Sequence, residues 1–290
     1  MKRIFLSFAL LLCLCAGLYA RDVEGQVRSY KVGSLDFIAL KDIETNMGRE
    51  ILLRPEAEVV GRVMANNQNP SSINAFLVKS KDLIILIDAG IGEGGMAVNN
   101  LETAGVNPKD VDIVIITHMH GDHIGGLVSS GGKVFGKAFV YINDKELAYW
   151  TGSISRDPGT SALAGRVKAV YGDKIKTFKW DDNITPEIKA IAAPGHTPGH
   201  TVLNIESDGE KIIVIGDLVH VLKVQTADPN MAVIFDVNSR EAVDSRKKIF
   251  KDVSKNKTRV AGMHIPFPGV GTIVEETGGE YIFSPSVSIR

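Results

Sequence analysis

Cysteine is almost absent from this chain: two in 290 residues, Cys13 and Cys15, both inside one apolar stretch near the start. Past that stretch there is no thiol, which excludes a disulfide framework, a cysteine nucleophile and a thiolate metal ligand. Charge of one sign is lacking too. With 33 basic and 34 acidic residues the net charge is -1, which argues against a nucleic-acid partner. Also missing is an apolar run of the about 20 residues that span a bilayer. The run Ile4 to Ala16 falls short, so no stable membrane anchor is expected. It carries instead the marks of a secretory signal peptide, with Lys2 and Arg3 before it and a small-residue exit from Gly17 to Ala20. Residues 1-20 therefore read as the signal and 21-290 as one exported domain, periplasmic or extracellular, whose net charge becomes -3 once Lys2 and Arg3 are gone. Neither cysteine follows the small residue of a lipid-attachment box. At 44% hydrophobic and 23% charged, the rest can bury a large core.

What the chain does have is a dense cluster of metal-competent side chains. THMHGDH, Thr117 to His123, places His118, His120, Asp122 and His123 directly after the apolar run Val111 to Ile116, which reads as a buried strand. In an extended segment alternate residues face the same way, so His118 and His120 can point at one ion while Asp122 and His123 lie past a glycine bend. A lone loop histidine more often just hydrogen-bonds a carbonyl. Four such residues together are the usual zinc set. The chain holds seven histidines in all, and the others sit at comparable places. His196 and His200 lie in APGHTPGH after Ile188 to Ala193. Asp217 ends Ile212 to Ile215 through Gly216, with His220 shortly after, and His264 closes Arg259 to Met263. All fall at or just beyond the C-terminal end of an expected strand, where ligand sites of layered α/β folds collect.

Together, HxHxDH, a Gly-His turn, a strand-ending Gly-Asp and a late histidine resemble the metallo-β-lactamase-fold hydrolases, from about Ile73 to Gly271. The resemblance implies that His118, His120 and His196 hold one metal, that Asp122, His123 and His264 hold a second, and that Asp217 bridges both. It also implies that Asp88, in IDAG, holds the ligand loop from behind. His200 reads as a residue of the turn. Two divalent ions so placed lower the pKa of a shared water to about 7, so the expected reaction is attack by a metal-bridging hydroxide that Asp122 and Asp217 orient. Zinc is the default for nitrogen and oxygen ligands, although manganese, iron or cobalt suit similar sites.

Departures from the family's branches narrow the reading. Members with a cysteine ligand, or with serine at the place of Asp217, do not match. Flavodiiron relatives would show a glutamate in the first motif and a flavodoxin domain. Glyoxalase II-like and ribonuclease Z-like relatives fit the ligands but are mainly intracellular. The lactonase branch typically has a tyrosine where this chain has His220. That histidine, GMHIPFPGVG around His264 and the signal peptide make the chain look most like the exported methyl-parathion-hydrolase and quorum-quenching-lactonase group. The implied substrate is a small ester, lactone or phosphotriester. The alternatives are a glyoxalase II-like thioesterase, a β-lactam hydrolase of the same fold, or a non-catalytic metal-binding scaffold. His220 is expected to hydrogen-bond the developing oxyanion or protonate a leaving alkoxide; the plainer reading is that it fixes its loop. A homodimer is compatible with all of this.

The fold implied is α/β (α+β), a four-layer αββα sandwich with the metals at one edge of two sheets. Strand patterns run over Ser29 to Ile43, Ile73 to Ile87 and Tyr281 to Ser284, and helix patterns over Met96 to Gly105, Asp144 to Trp150 with Asp144 as cap, and Ser239 to Val253. Thr45 to Ser72 lacks periodicity and reads as a long functional loop or lid. Phe267, Phe235, Leu222 and the region of Met64 read as pocket lining or as core.

Overall fold

The computed structural model describes residue 23 and residues 25-64 and 66-286. The signal peptide expected over 1-20, with Cys13 and Cys15, lies outside the described residues. Two seven-stranded sheets form the centre. The first takes its strands in the order β1 (Val27–Val32), β2 (Leu35–Asn46), β3 (Pro70–Lys79), β4 (Ile84–Ile87), β5 (Ile113–Ile116), β8 (Phe139–Asn143) and β9 (Ile175–Phe178). Between β5 and β8 lies a small ribbon of β6 (Val128–Ser129) and β7 (Gly132–Lys133). The second sheet runs in chain order: β10 (Asn183–Thr185), β11 (Ile188–Ala192), β12 (Thr201–Ser207), β13 (Glu210–Val214), β14 (Arg259–Ala261), β15 (Val270–Glu275) and β16 (Tyr281–Pro285). Pairing is parallel for β4 with β5, β5 with β8, β8 with β9 and β13 with β14, and antiparallel for the other neighbours.

Side-chain alternation makes the four layers. Ile113 and Ile115 of β5 face the second sheet, where Leu203, Ile205, Ile212, Val214 and Met263 meet them. Val114 and Ile116 face the other way, into a core shared with helices α2 (Ala97–Thr103), α4 (Asp144–Thr151) and α5 (Pro158–Tyr171). On the second sheet Ile213, Ile215 and Val260 turn outward against Ile249, Phe250 and Val253 of α7 (Ser239–Asn256). A period of two on each strand thus supplies both faces of each sheet, and helices close the two outer ones. The expected αββα sandwich is what forms.

Several local readings need adjustment. Asn143, not Asp144, caps α4: its side chain accepts the Lys145 N–H at 3.0 Å. Ser29 to Ile43 is two strands joined at Gly33 and Ser34, and Ile73 to Ile87 is likewise two. Thr45 to Ser72 is not a free loop. β2 reaches Asn46, β3 begins at Pro70, and between them a short helix α1 (Glu58–Val63) packs through Val60 and Met64 on Val221, Val224, Met231 and Val233. Leu52 bridges Val233 in antiparallel fashion, pinning the segment down. Its burial follows from apolar residues too widely spaced for a periodic signal.

Candidate metal centre

The ligand loops leave adjacent strands at one edge of the sandwich. Asp88 follows β4, His118 to His123 follow β5 and enter the one-turn helix α3 (Gly121–Ile124), His196 and His200 lie between β11 and β12, Asp217 and His220 follow β13 and lead into α6 (Leu222–Ala227), and His264 follows β14. Parallel pairing of β4 with β5 and of β13 with β14 puts these strand ends side by side. Residues distant in sequence therefore share one site.

Three ring nitrogens converge first. His120 Nδ1 lies 3.0 Å from both His118 Nε2 and His196 Nε2. Asp217 Oδ2 lies 3.6 Å from His118 Nε2 and 3.4 Å from His196 Nε2. Next to this group, His123 Nε2 is 3.7 Å and His264 Nε2 is 3.4 Å from Asp122 Oδ2. Asp217 reaches this second group as well, with Oδ1 at 3.3 Å from His123 Nε2 and Oδ2 at 2.9 Å from His264 Nε2. Donor atoms of His118, His120, His196 and Asp217 lie within 4.8 Å of one another, as do those of Asp122, His123 and His264. The seven residues expected as ligands are thus brought together in the expected grouping, with Asp217 against both groups.

The outer nitrogen of each ring decides what the inner one presents. Thr117 Oγ1 donates to Asp88 Oδ2 at 2.7 Å, so it accepts from His118 Nδ1 at 3.2 Å and leaves the lone pair on Nε2. His123 Nδ1 donates to Asp88 Oδ2 at 2.6 Å and His196 Nδ1 to Asp236 Oδ1 at 3.0 Å, with the same result. Lone pairs on converging nitrogens repel unless a cation lies between them. Buried His123 Nε2 and Asp217 Oδ1 have no hydrogen-bond partner among the described residues, a cost that coordination would remove. The donor set fits divalent metal.

Electrostatics follow the geometry. Burial pushes His118 well down and His120 down to about 3, with neighbouring imidazoles adding to it, so both are neutral. Burial opposes ionisation of Asp217, yet the His123, His264 and His118 rings hold it well below the usual carboxylate range. Asp122 is lowered in the same way, against burial, by His123 and His264. Against burial, Asp217 and other carboxylates raise His123, His264 and His196, the last to about 9. Those protons are what a metal would displace.

Supporting residues hold the loops in place. Asp88, at φ +56°, accepts the Thr117 N–H at 2.8 Å in addition to the contacts above, the position expected for it. His200 Nδ1 donates to Ala193 O at 2.9 Å, so its Nε2 accepts the Asp217 N–H at 2.9 Å and fixes Asp217. Gly216, at φ +54°, must be glycine, since a Cβ would come 2.5 Å from that Nε2. Strand β3 holds the opposite loop: Ser71 Oγ donates to His264 O at 2.5 Å, and Asn74 Nδ2 to Ile265 O at 2.8 Å. Asp236 and Glu146 were not anticipated from sequence. Asp236 gives no motif, while Glu146 left one trace: it falls four residues before Trp150, on the stripe of α4 that is buried.

The sequence profile of the Metallo-beta-lactamase superfamily matches residues 69–255. The chain belongs to the metallo-beta-lactamase superfamily. Among solved structures it is similar to the hydrolase AbOPH of the beta lactamase superfamily, at 29% identity and a TM-score of 0.82 over 93% of this chain and 100% of that one. It is also similar to AidC, described as a dizinc quorum-quenching lactonase and solved with the product N-hexanoyl-L-homoserine, at 26% identity and a TM-score of 0.83 over 91% of this chain and 99% of that one. A curated relative is the probable metallo-hydrolase YflN of Bacillus subtilis, 28% identical over 149 residues, 47% of this chain and 55% of that protein. The chain spans about half the length of the first curated relatives it matches. As a member of this superfamily it carries an intact cluster of histidines and aspartates spaced to hold metal.

A pocket of about 840 Å³ opens over the cluster, and His120, Asp122, Asp217, His220 and His264 line it. Its apolar wall includes Met47, Trp150, Ile154, Ile234, Phe235 and Val237. Phe235 is therefore a lining residue. Met64 is core at 1% exposure, and Leu222 and Phe267 line a separate groove of about 510 Å³ instead. His220 Nε2 stands 3.2 Å from Asp217 Oδ2, its ring 4.8 Å from that of His264, so with those two residues it also has the spacing of a metal ligand. Burial pushes it down to about 4, which keeps it neutral.

Proposed function

We propose that this superfamily member is an exported hydrolase that holds two divalent ions, zinc by default, and cleaves a small, largely uncharged ester, lactone or phosphotriester. The observation that carries the reading is Asp217, which lies against both donor groups on the floor of an apolar-walled pocket. His118, His120 and His196 would hold one ion, Asp122, His123 and His264 the other, and Asp217 both. When bound, such ions supply Lewis acidity and a water acidic enough to ionise near neutral pH.

The chain's own residues do the rest. Asp88 and Asp236 hold the outer-nitrogen protons of His123 and His196, so the inner nitrogens are the ones that give up a proton to a metal. Ile234, Phe235 and Trp150 keep water from the wall of the site and accept apolar substrate groups. An uncharged substrate suits a floor that already carries Asp122 and Asp217. His220, a neutral ring on that floor, would donate a hydrogen bond from one nitrogen to the substrate oxygen as charge develops there.

The likeness to AidC and AbOPH supports the lactone and phosphotriester part of the reading, and the stretch from Lys2 to Ala20 supports export. A panel of acyl-homoserine lactones, aryl esters, methyl-parathion-like triesters and a β-lactam, tested on metal-loaded protein, checks the substrate class. Hydrolysis of the β-lactam alone would overturn it. Protein from native cells should begin near Arg21, and a sequence still starting at Met1 would remove the export reading.

A further inference from the structure

Glu146 lies in the first turn of α4, fully buried, and no cation is paired with it among the described residues. Four donors surround its carboxylate. Oε1 accepts the Met119 N–H at 2.9 Å and the Trp150 indole N–H at 2.6 Å. Oε2 accepts the Thr197 hydroxyl at 2.8 Å and the Gly199 N–H at 2.8 Å. An apolar side chain would fill this volume without the cost of burying a carboxylate, so the reason for a charge lies in its partners. Met119 sits between His118 and His120, and Thr197 and Gly199 lie one and three residues after His196. Trp150 presents its ring edge-on to His120, 5.3 Å between centroids. Gly199 belongs to the same design, since a Cβ there would come 2.4 Å from the Glu146 backbone nitrogen.

One carboxylate thus ties together the two loops that carry His118, His120 and His196. The other group is held by different means: His123 by Asp88, and the His264 loop by Ser71 and Asn74. We propose that Glu146 is a positioning residue that sets the separation of the His118–His120 loop from the His196 loop, and with it the affinity and geometry of one metal position and not the other. This rests on the reading of His118, His120 and His196 as ligands of one ion.

The test uses metal-free full-length protein titrated with Co²⁺, followed by its visible absorption, and with Zn²⁺ against a chelating indicator. Wild type should show two binding classes, and His120→Ala should identify the class that belongs to the His118, His120 and His196 group. Glu146→Ala should weaken that class about 10- to 100-fold and alter its Co²⁺ spectrum, leaving the other class as in wild type. Glu146→Gln should fall between, because its amide oxygen still serves Met119 and Trp150 while the Gly199 N–H meets a second donor; it carries the test if the alanine variant does not fold. Unchanged binding in both variants, or an equal loss in both classes, would overturn the proposal, since a residue that merely supports the fold would act on both alike. If His120→Ala changes neither class, the ligand reading itself fails and takes this inference with it.

Discussion

Asp236→Asn isolates what a carboxylate does for His196, a proposed metal ligand, without touching any of the proposed ligands. Asp236 Oδ1 takes the His196 Nδ1–H at 3.0 Å, Oδ2 takes the Val233 N–H at 3.0 Å, and the side chain is 1% exposed. An asparagine has the same shape but only one acceptor. With its oxygen toward His196, its NH₂ opposes the Val233 N–H; with the amide turned, it asks His196 to carry its proton on Nε2, the nitrogen that faces His120. The first arrangement is the less damaging. It leaves one buried donor unmet, about 1–3 kcal/mol, and removes the charge that helps raise His196 to about 9. A weaker ligand of this kind typically costs about 10- to 100-fold in metal affinity, or about 1.4–2.8 kcal/mol. Arg246 adds to the stability loss. It is 1% exposed, donates to the carbonyls of Leu218, Pro229 and Met231, and is already pushed down to about 10 by burial, with Asp236 the main opposing charge. The assay pairs denaturant unfolding of metal-free protein with Zn²⁺ competition. We expect a folded variant, less stable by about 1–3 kcal/mol, that binds zinc about 10- to 100-fold more weakly. Wild-type zinc affinity in Asp236→Asn would refute the reasoning.

Three further outcomes follow from the same geometry. Asp217→Ala should lower metal content from two ions per chain and abolish hydrolysis; elemental analysis showing at most one ion in fully active wild-type protein would refute the two-ion reading. His220→Ala should keep its metal while kcat for a lactone falls about 10²- to 10³-fold, whereas metal lost in step with activity would make His220 a ligand. Tyr171, fully buried, donates to Leu127 O at 2.9 Å, and burial pushes its phenol from 10.0 up to about 12. Its neutral form is favoured in the fold, so its contribution is complete below pH 10 and is lost as pH rises from 10 to about 12, up to about 2–3 kcal/mol. The stability difference between wild type and Tyr171→Phe should narrow over that window, and a constant difference would argue against it.

The metal-competent residues were legible because each belongs to a short local pattern at a strand end. The sequence order of those strands already brings them to one edge. Continuous apolar runs made β4, β5 and β13 readable, and the amphipathic stripe made α7 readable. Glu146, Asp236 and Arg246 were not, for a common reason: each serves backbone or ring atoms far away in sequence, and a lone charged residue carries no mark of its partners. Arg246 reaches back to Leu218, beside Asp217, through a contact of 2.6 Å that no periodicity encodes. The stretch around Met64 misled for the opposite reason. Its apolar residues are real core, but much of what they pack on is the segment after His220, far away in sequence.

The charges at this edge give a separate argument for the number of ions. Four carboxylates, those of Asp88, Asp122, Asp217 and Asp236, surround the imidazoles, and even the most open of them, Asp122, has a side chain only 27% exposed. Glu146 and Arg246, also buried, carry opposite charges and offset one another in the sum although they do not touch. Four negative charges in a buried region call for compensation. In the metal-free chain it comes from the imidazoles of His123, His196 and His264, whose proton affinity those carboxylates raise. Two divalent cations would offset these carboxylates with the imidazoles neutral, as ligation requires, even though burial raises the pKa of Asp88. One cation would leave two carboxylates to be balanced by protons on the very nitrogens that should bind metal. The charge balance thus agrees with the proposal of two ions, and it draws on the same Asp122 and Asp217 that the donor groups share.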